Sequence, residues 1–273
     1  MKPRSKPQNR KPHDGPHKKN FREEKSSGQG VIFGVLPVLE ALRATSRRIE
    51  KIMIAEGAGE KRFSDIVDLA SSNGIAVNKV SRESIDRMIE AGVNHQGIVA
   101  FAAAAEYVDI DDIFDSANEN PLFVVLDGVE DPRNLGAILR TVECAGCDGV
   151  IIPDRRAVGL TETVAKSSAG ASEYVKVAKV TNLNRLIEDL KSRNVWVVGA
   201  GGGAKMGYTE WDWTQPTALV LGSEGSGLHR LISENCDALV KIPMYGKIDS
   251  LNVSVAAGVI LFEARRQRNR RKD

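Results

Sequence analysis

The chain has 273 residues, 42% hydrophobic and 27% charged, with 25 Gly and 10 Pro, which suits one large globular domain or two modest ones. No run of eighteen apolar residues occurs, and the first thirty residues are polar and basic, so a membrane span and a secretory signal are not expected. The net charge is only +2, and three cysteines, an odd number, make no disulfide framework and point to a reducing, cytoplasmic setting.

That small net charge hides a segregation. Residues 1–25 hold nine Lys/Arg against three acids and residues 264–273 hold six against one, so basic ends flank a body of charge −9. Such ends suit a polyanionic partner or serve to solubilise the chain. Residues 1–29 carry almost no large apolar side chains and are expected to be a disordered basic tail.

Over 30–105, short apolar runs alternate with helical patterns. VIFG precedes a helix near Leu36 to Leu42; KIMIAE precedes a helix from Ser64 to Ser72 stopped by Asn73-Gly74; IAVNKV precedes a helix around Ser84 to Ile89, and GIVAFAA closes the unit. This predicts a small α/β domain. Residues 106–120 are rich in Asp and Glu and predict a linker with room for one helical turn.

A second α/β unit is expected from Pro121 to Arg268. Its strand candidates are FVVLDG, GVIIP, EYVKVAKV, VWVVGA, ALVLGS and ALVKIP, six β-branched runs that imply a mainly parallel sheet covered by helices on both faces. Helical stripes fall at Leu135, Ile138, Leu139 and Val142, at Leu183, Leu186, Ile187 and Leu190, and at Val253, Ala256, Ala257, Ile260 and Leu261. Residues 269–273 complete the basic end.

Three segments carry candidate chemistry. In DGVEDPRNLGAILRTVECAG, Asp131 and Asn134 are cap candidates, Gly136 permits close approach of another backbone, and Arg140 lies off the apolar stripe. There Arg140 either grips a phosphate with its planar fork or is a solvated helix arginine. ALVLGSEGSGL runs a strand into a turn with Gly222, Glu224, Gly225 and Gly227; strand ends opening into glycine loops place ligands, and tight turns also use glycine. In KIPMYGKIDSLNVSVAAG, Ser250 is the N-cap candidate and Asn252 sits near the helix start.

Other patterns carry less. The GAGGGA run at Gly199 to Ala204 fits a dinucleotide fingerprint, but the following KMGYTEWDWTQP has no helical stripe, so the helix that would receive a pyrophosphate is missing. Cys144 and Cys147 form C-x-x-C without a second pair and read as small buried side chains. With four His, two of them in the N-terminal segment, no metal site is expected, and His95 and His229 read as structural or RNA-facing.

The ordered set NLGAILR, LVLGSEGSGL and IPMYGKIDSLNVSVAAGVILFEARRQR resembles the SpoU/TrmH RNA ribose methyltransferases over 121–268. Residues 31–105 look like the substrate-binding domain of the family's large-subunit ribosomal RNA guanosine 2′-O-methyltransferases. The resemblance implies a trefoil-knotted (SPOUT) α/β domain behind a small L30e-like α/β domain, S-adenosyl-L-methionine as cofactor, ribosomal RNA as substrate, and a homodimer with its active site at the subunit interface. It places the cofactor against Gly222, Ile242, Met244 and Leu251, and puts Asn134, Arg140, Glu224 and Asn252 on the polar active-site positions. Arg133 stands where glycine often stands in the family. Because a guanidinium hardly deprotonates, Arg140 is expected to position a phosphate and stabilise the developing alkoxide. Transfer RNA is the alternative substrate, and a non-catalytic ribosome-assembly factor the alternative class.

Overall fold

A computed structural model of the protein describes residues 29–57, 59–90 and 92–270. The expectations for the N-terminal tail up to residue 28 and for 271–273 lie outside these. The first unit comprises β1 (Gln29–Phe33), α1 (Val35–Ala44), β2 (Ile49–Ala55), α2 (Ser64–Ser72), β3 (Ala76–Val80), α3 (Arg82–Asp86) and β4 (Ile98–Ala103). Its strands run in the order β1-β4-β2-β3, with β4 antiparallel to both β1 and β2 and with β3 parallel to β2. α2 stops where its sequence says: Gly74 adopts φ +68 and Ile75 N–H reaches back to the Ala70 carbonyl at 2.8 Å, a closure that favours glycine. α3 begins earlier and is shorter than expected, because Ser81 Oγ caps it by accepting from Ser84 N–H at 3.3 Å.

The acidic segment after β4 does contain a helical turn, α4 (Ile110–Asp115). It is packed down on the second unit: Ile113 is buried in that core, and Phe114 meets Phe123 edge-on at 5.6 Å.

The second unit comprises β5 (Leu122–Asp127), α5 (Pro132–Ala145), β6 (Gly149–Pro153), α6 (Glu162–Ser167), β7 (Val177–Val180), α7 (Leu183–Ser192), β8 (Trp196–Ala200), β9 (Met206–Gly207), β10 (Thr217–Gly222), α8 (Arg230–Asn235), β11 (Ala238–Lys241) and α9 (Val253–Arg270). Its seven strands lie in the order β7-β6-β5-β10-β8-β11-β9, and every pairing between them is parallel. The stripes of α5 and α9 bury against one face, those of α4, α7 and α8 against the other. Ala256 alone of the expected stripe residues is only half-buried. Strands covered on both faces must be apolar throughout, and β5 is buried at all six positions.

The structure departs from the sequence expectation in two segments. EYVKVAKV is a strand only over β7, because Glu173 and Tyr174 turn toward the first unit: Glu173 takes the Arg47 fork and Ser46 Oγ, and Tyr174 Oη donates to Glu40 at 2.7 Å. The C-terminal basic cluster is not a free arm as far as Arg270. Arg265 donates to the carbonyls of Ala145 and Gly146, each at 2.7 Å, Arg266 pairs with Glu263, and Arg268 donates to the carbonyls of Asn120, Pro121, Trp213 and Gln215.

α6 has no apolar stripe, so the sequence pattern gives no sign of it. Thr161 caps it, and it crosses α5 at Gly136, where a Cβ would lie 1.9 Å from Ser167 Oγ and 2.8 Å from Ser168 N. Gly136 thus does permit the close backbone approach that its sequence position suggests. Among the described residues no helix is long and apolar enough to cross a membrane, and no group of three or more His, Cys, Asp and Glu could hold a metal ion.

Candidate functional site

All strands of the second sheet are parallel, so their C-terminal ends share one edge, the edge where such sheets place ligands. β5 ends there in Asp127-Gly128, β10 in Gly222-Ser223, β8 in Ala200-Gly201 and β11 in Lys241-Ile242.

The turn after β10 folds back on itself. Ser223 N–H bonds the Gly227 carbonyl and Gly227 N–H bonds the Ser223 carbonyl, both at 3.0 Å. Gly225 (φ +84) and Gly227 (φ +67) supply the left-handed backbone this needs. At Gly222 a Cβ would lie 2.1 Å from Gly227 C and 2.3 Å from Leu228 N. The glycines therefore build the loop, and the loop carries Glu224.

Glu224 Oε1 accepts from Asn134 Nδ2 at 2.8 Å and also from Asn252 Nδ2, which in addition donates to Asn134 Oδ1 at 3.0 Å. Three side chains far apart in sequence thus close into one cluster. Asn134 is in the first turn of α5 and only 7% exposed; it is not a cap. Asp131 is the α5 cap, its Oδ1 accepting from Arg133 N–H at 2.7 Å. Asn252 also caps α9, since its Oδ1 accepts from Ser254 N–H at 2.9 Å. The sequence candidate for that cap, Ser250, instead bonds Asp249 in an exposed loop.

A cleft of about 340 Å³ opens beside the cluster, lined by Gly128, Glu130, Arg156, Ser223 and His229 as well as Asn134 and Glu224. Behind His229 of the lining lies Asp127, 4% exposed, which accepts from His229 N–H and from His229 Nδ1, each at 2.8 Å. A carboxylate only accepts, so Nδ1 carries the hydrogen in that bond and the ring is held in one orientation. Sequence reasoning missed Asp127, Arg156 and the cleft position of His229; nothing but their place at strand and loop ends could have signalled them.

Arg140 is not brought into the cluster. It lies six residues beyond Asn134, about 9 Å along the helix, exposed and without a hydrogen bond or ion pair to any described residue. Ile242 and Met244 are half-buried on the segment leaving β11, and Leu251 is exposed. The Gly201, Gly202 and Gly203 turn at the end of β8 has open space at each Cα and leads into β9 and not a helix, so it offers no dinucleotide pyrophosphate site.

The cysteines do not fit reactive roles. All three are free; Cys144 is exposed, contrary to expectation, because it falls on the outer face of α5. Burial pushes the Cys147 thiol up to about 12 and the Cys236 thiol up to about 11, which suppresses the nucleophilic thiolate. His95 is structural: buried, it accepts from Gly97 N–H at Nδ1 and donates from Nε2 to Asp86 at 3.0 Å.

Comparison with known proteins bears on both units. The SpoU rRNA Methylase family profile matches residues 121–262, and the profile for RNA 2′-O ribose methyltransferase substrate binding matches 31–108. The chain is 46% identical over 247 residues to the putative TrmH family tRNA/rRNA methyltransferase YacO of Bacillus subtilis, covering 89% of this chain and 98% of that one. It is 43% identical over 244 residues to the 23S rRNA (guanosine-2′-O-)-methyltransferase RlmB of Pseudomonas syringae, covering 88% and 97%. Among solved structures, an AdoMet-bound rRNA methyltransferase from Sinorhizobium meliloti superposes with a TM-score of 0.69 at 26% identity, covering 87% of each chain.

Proposed function

The chain belongs to the SpoU rRNA methylase family, and from that premise we propose that it methylates the ribose 2′-oxygen of a guanosine in large-subunit ribosomal RNA, with S-adenosyl-L-methionine as donor. The observation that carries the reading is the closed Asn134–Glu224–Asn252 cluster at the ligand-bearing edge of the sheet. The relative from Pseudomonas syringae favours a ribosomal guanosine; the name of the Bacillus relative also admits transfer RNA, which is the second reading.

The residues present fit the cofactor. The tight turn that Gly222 opens, the open glycines at the end of β8 and half-buried apolar groups at Ile242 and Met244 follow neighbouring strands β10, β8 and β11, and Leu251 completes the set. The bound group would supply an electrophilic sulfonium methyl. A ribose hydroxyl is a poor nucleophile at neutral pH, so the protein's part is alignment and help with the proton. Both amide bonds to Glu224 converge on Oε1, which leaves Oε2 to accept from the hydroxyl, while Asn134 and Asn252 hold the carboxylate in place. Arg140 positions the adjacent phosphate and stabilises developing negative charge on the oxygen.

A homodimer belongs to the same proposal. Tyr245 (96% exposed), Ile248 (74%), Val255 and Phe262 (both 51%) leave apolar side chains exposed from the 242–252 loop onto α9, and α9 packs beside α5, which carries Arg140, without a partner among the described residues. A second copy covering those side chains would complete the site from across the interface. The trefoil knot is proposed with it, supported by the placing of late strand β10 between β5 and β8.

The test is incubation with methyl-labelled S-adenosylmethionine and unmodified RNA from a strain lacking the enzyme, with the protein's mass measured by sedimentation. Label in 2′-O-methylguanosine of the large ribosomal RNA, from a dimer, is expected. Label in transfer RNA overturns the substrate; none in any fraction, ribosomal particles included, overturns the activity. Arg140→Lys keeps the charge but loses the planar fork, so its turnover is expected to drop about 100-fold with RNA affinity within about twofold. Near wild-type turnover would remove the fork from the mechanism.

A further inference from the structure

The cleft beside the Asn134–Glu224–Asn252 cluster is walled by loops that are tied to one another. Val158 N–H donates to the Val129 carbonyl at 3.2 Å and Asp154 N–H to the Val180 carbonyl at 2.9 Å, so the loop after β6 is fastened at both ends, once to the loop after β5. Glu130 follows Val129, and Arg156 lies two residues before Val158. A single backbone bond therefore brings together these two residues of the cleft lining. Arg156 is held there at φ +57, a left-handed backbone that a residue other than glycine seldom adopts. The loop after β10 closes on the same place. At Gly128 (φ +85) a Cβ would stand 3.4 Å from Ser223 Cβ and 3.5 Å from His229 Cε1, so the serine and the imidazole both rest against the Gly128 backbone.

Three groups in this lining keep unused hydrogen-bonding capacity. Glu130 and Arg156 are exposed, and neither makes a hydrogen bond or ion pair with any described residue. Although opposite in charge and anchored at one backbone bond, they do not pair with each other. The third group is His229 Nε2. Asp127 takes the hydrogen of Nδ1 at 2.8 Å, so in the neutral ring Nε2 is the acceptor. It has no partner among the described residues, and the side chain is 47% exposed.

The cleft thus offers two acceptors and a guanidinium donor, next to the carboxylate assigned above to the ribose hydroxyl. Its volume of about 340 Å³ lies within the roughly 300–1,000 Å³ of small-ligand pockets. A base is attached to the ribose carbon adjacent to the one bearing the 2′-oxygen, so a hydroxyl at Glu224 puts its own base at this cleft. Unstacked RNA bases are read along their hydrogen-bonding edges. Of the four, only guanine carries two adjacent donors, N1–H and the N2 amine, beside an acceptor, O6.

We propose that the cleft holds the base of the methylated nucleotide and selects guanine: Glu130 and His229 Nε2 accept from N1–H and the N2 amine, and Arg156 donates to O6. The inference rests on the reading of the substrate as an RNA guanosine and names the residues that make the selection. Asp127 is a positioning residue, which keeps the imidazole turned so that Nε2 faces outward.

The test uses full-length protein and an RNA fragment spanning the methylated position, located from the labelled product, with guanosine, inosine or adenosine placed there by ligation. Inosine lacks only the N2 amine. kcat/KM is measured for the parent, Glu130→Ala, His229→Phe and Arg156→Gln, beside S-adenosylmethionine affinity and melting temperature. The parent should lose about 10–100-fold on inosine. Glu130→Ala should lose about tenfold on guanosine yet separate guanosine from inosine by less than about threefold, a coupling between side chain and base atom that general loosening does not produce. His229→Phe, which keeps a ring and removes Nε2, should narrow the gap likewise. Arg156→Gln should raise adenosine relative to guanosine by about tenfold, because an amide oxygen accepts from the adenine amine where a guanidinium only donates. Cofactor affinity and melting temperature should not move in the two variants at exposed positions, Glu130→Ala and Arg156→Gln.

A parent that methylates guanosine and inosine alike overturns the pocket, and so does a gap of unchanged size in both Glu130→Ala and His229→Phe. The expected gaps at a guanosine of transfer RNA support the pocket while the ribosomal reading falls. Label in another nucleoside, or in none, overturns both.

Discussion

Gly222→Ala should weaken S-adenosylmethionine binding by at least about 100-fold and reduce methyl transfer below detection, with secondary structure retained by circular dichroism. The argument is steric and local. The added methyl would meet Gly227 C at 2.1 Å, its carbonyl oxygen at 2.3 Å and Leu228 N at 2.3 Å. All three are backbone atoms, so no rotamer change relieves the contact. The reciprocal Ser223–Gly227 bonds must break, and Glu224 is then carried away from Asn134 and Asn252. Gly225→Ala is the internal comparison: it meets nothing within 4 Å and bears only the cost of φ +84, about 1–2 kcal/mol. Calorimetric titration of both variants decides the matter; Gly222→Ala binding within threefold of the parent would show that the loop is not the device described.

Arg268→Ala should lower stability by about 2–4 kcal/mol, a fall in melting temperature of roughly 5–10 °C. One guanidinium bonds the carbonyls of Trp213 at 2.8 Å, Pro121 and Gln215 at 3.0 Å, and Asn120 as well. It thereby ties the entry to β5, the segment before β10 and the end of α9 together. Burial is the first cause holding its pKa below the ordinary arginine value, yet it stays charged at any physiological pH. Removing it leaves several carbonyls short of donors, which costs more than an ordinary surface substitution. Arg270→Ala, at the helix end, is the control and should stay within about 0.5 kcal/mol. Equal melting temperatures for the two variants would contradict the stapling role.

The strands and long helices were legible because burial on both faces forces β-branched runs, and because α5, α7 and α9 each repeat their apolar residues at helical spacing. α6 was not, since its contact with α5 depends on the missing side chain of Gly136 and not on a stripe. Tyr174 and Lys176 read as strand but serve other ends, Tyr174 at the seam with Glu40 and Lys176 on Ser116 Oγ. The C-terminal arginines looked like a solvated charge run because sequence does not reveal four carbonyls converging on one side chain.

In the candidate site, Asn134 and Glu224 are ninety positions apart, and no local pattern pairs them. The family resemblance named them together, and the fold explains how they meet: one at the start of α5, the other on the glycine loop after β10. The resemblance also named Arg140, which the single chain leaves outside the cluster. Asp127 and His229 carry no motif at all; their pairing exists only because β5 and β10 end side by side.

The place of β10 governs how the chain reaches this structure. Its residues pair directly with β5, Thr217 opposite Leu122 and Gly222 opposite Asp127, across 95 positions of sequence, and with β8 on its other side. Until β10 arrives, β5 and β8 each present an unpaired, largely apolar strand edge, and one face of the sheet waits for α9 to complete its core. Such non-local closure is slow and leaves sticky edges exposed meanwhile. The first unit, whose contacts are closer in sequence, can assemble on the emerging chain long before. The second can finish only after α9 has emerged, so synthesis of this protein passes through a period in which one unit is native and the other depends on protection from association.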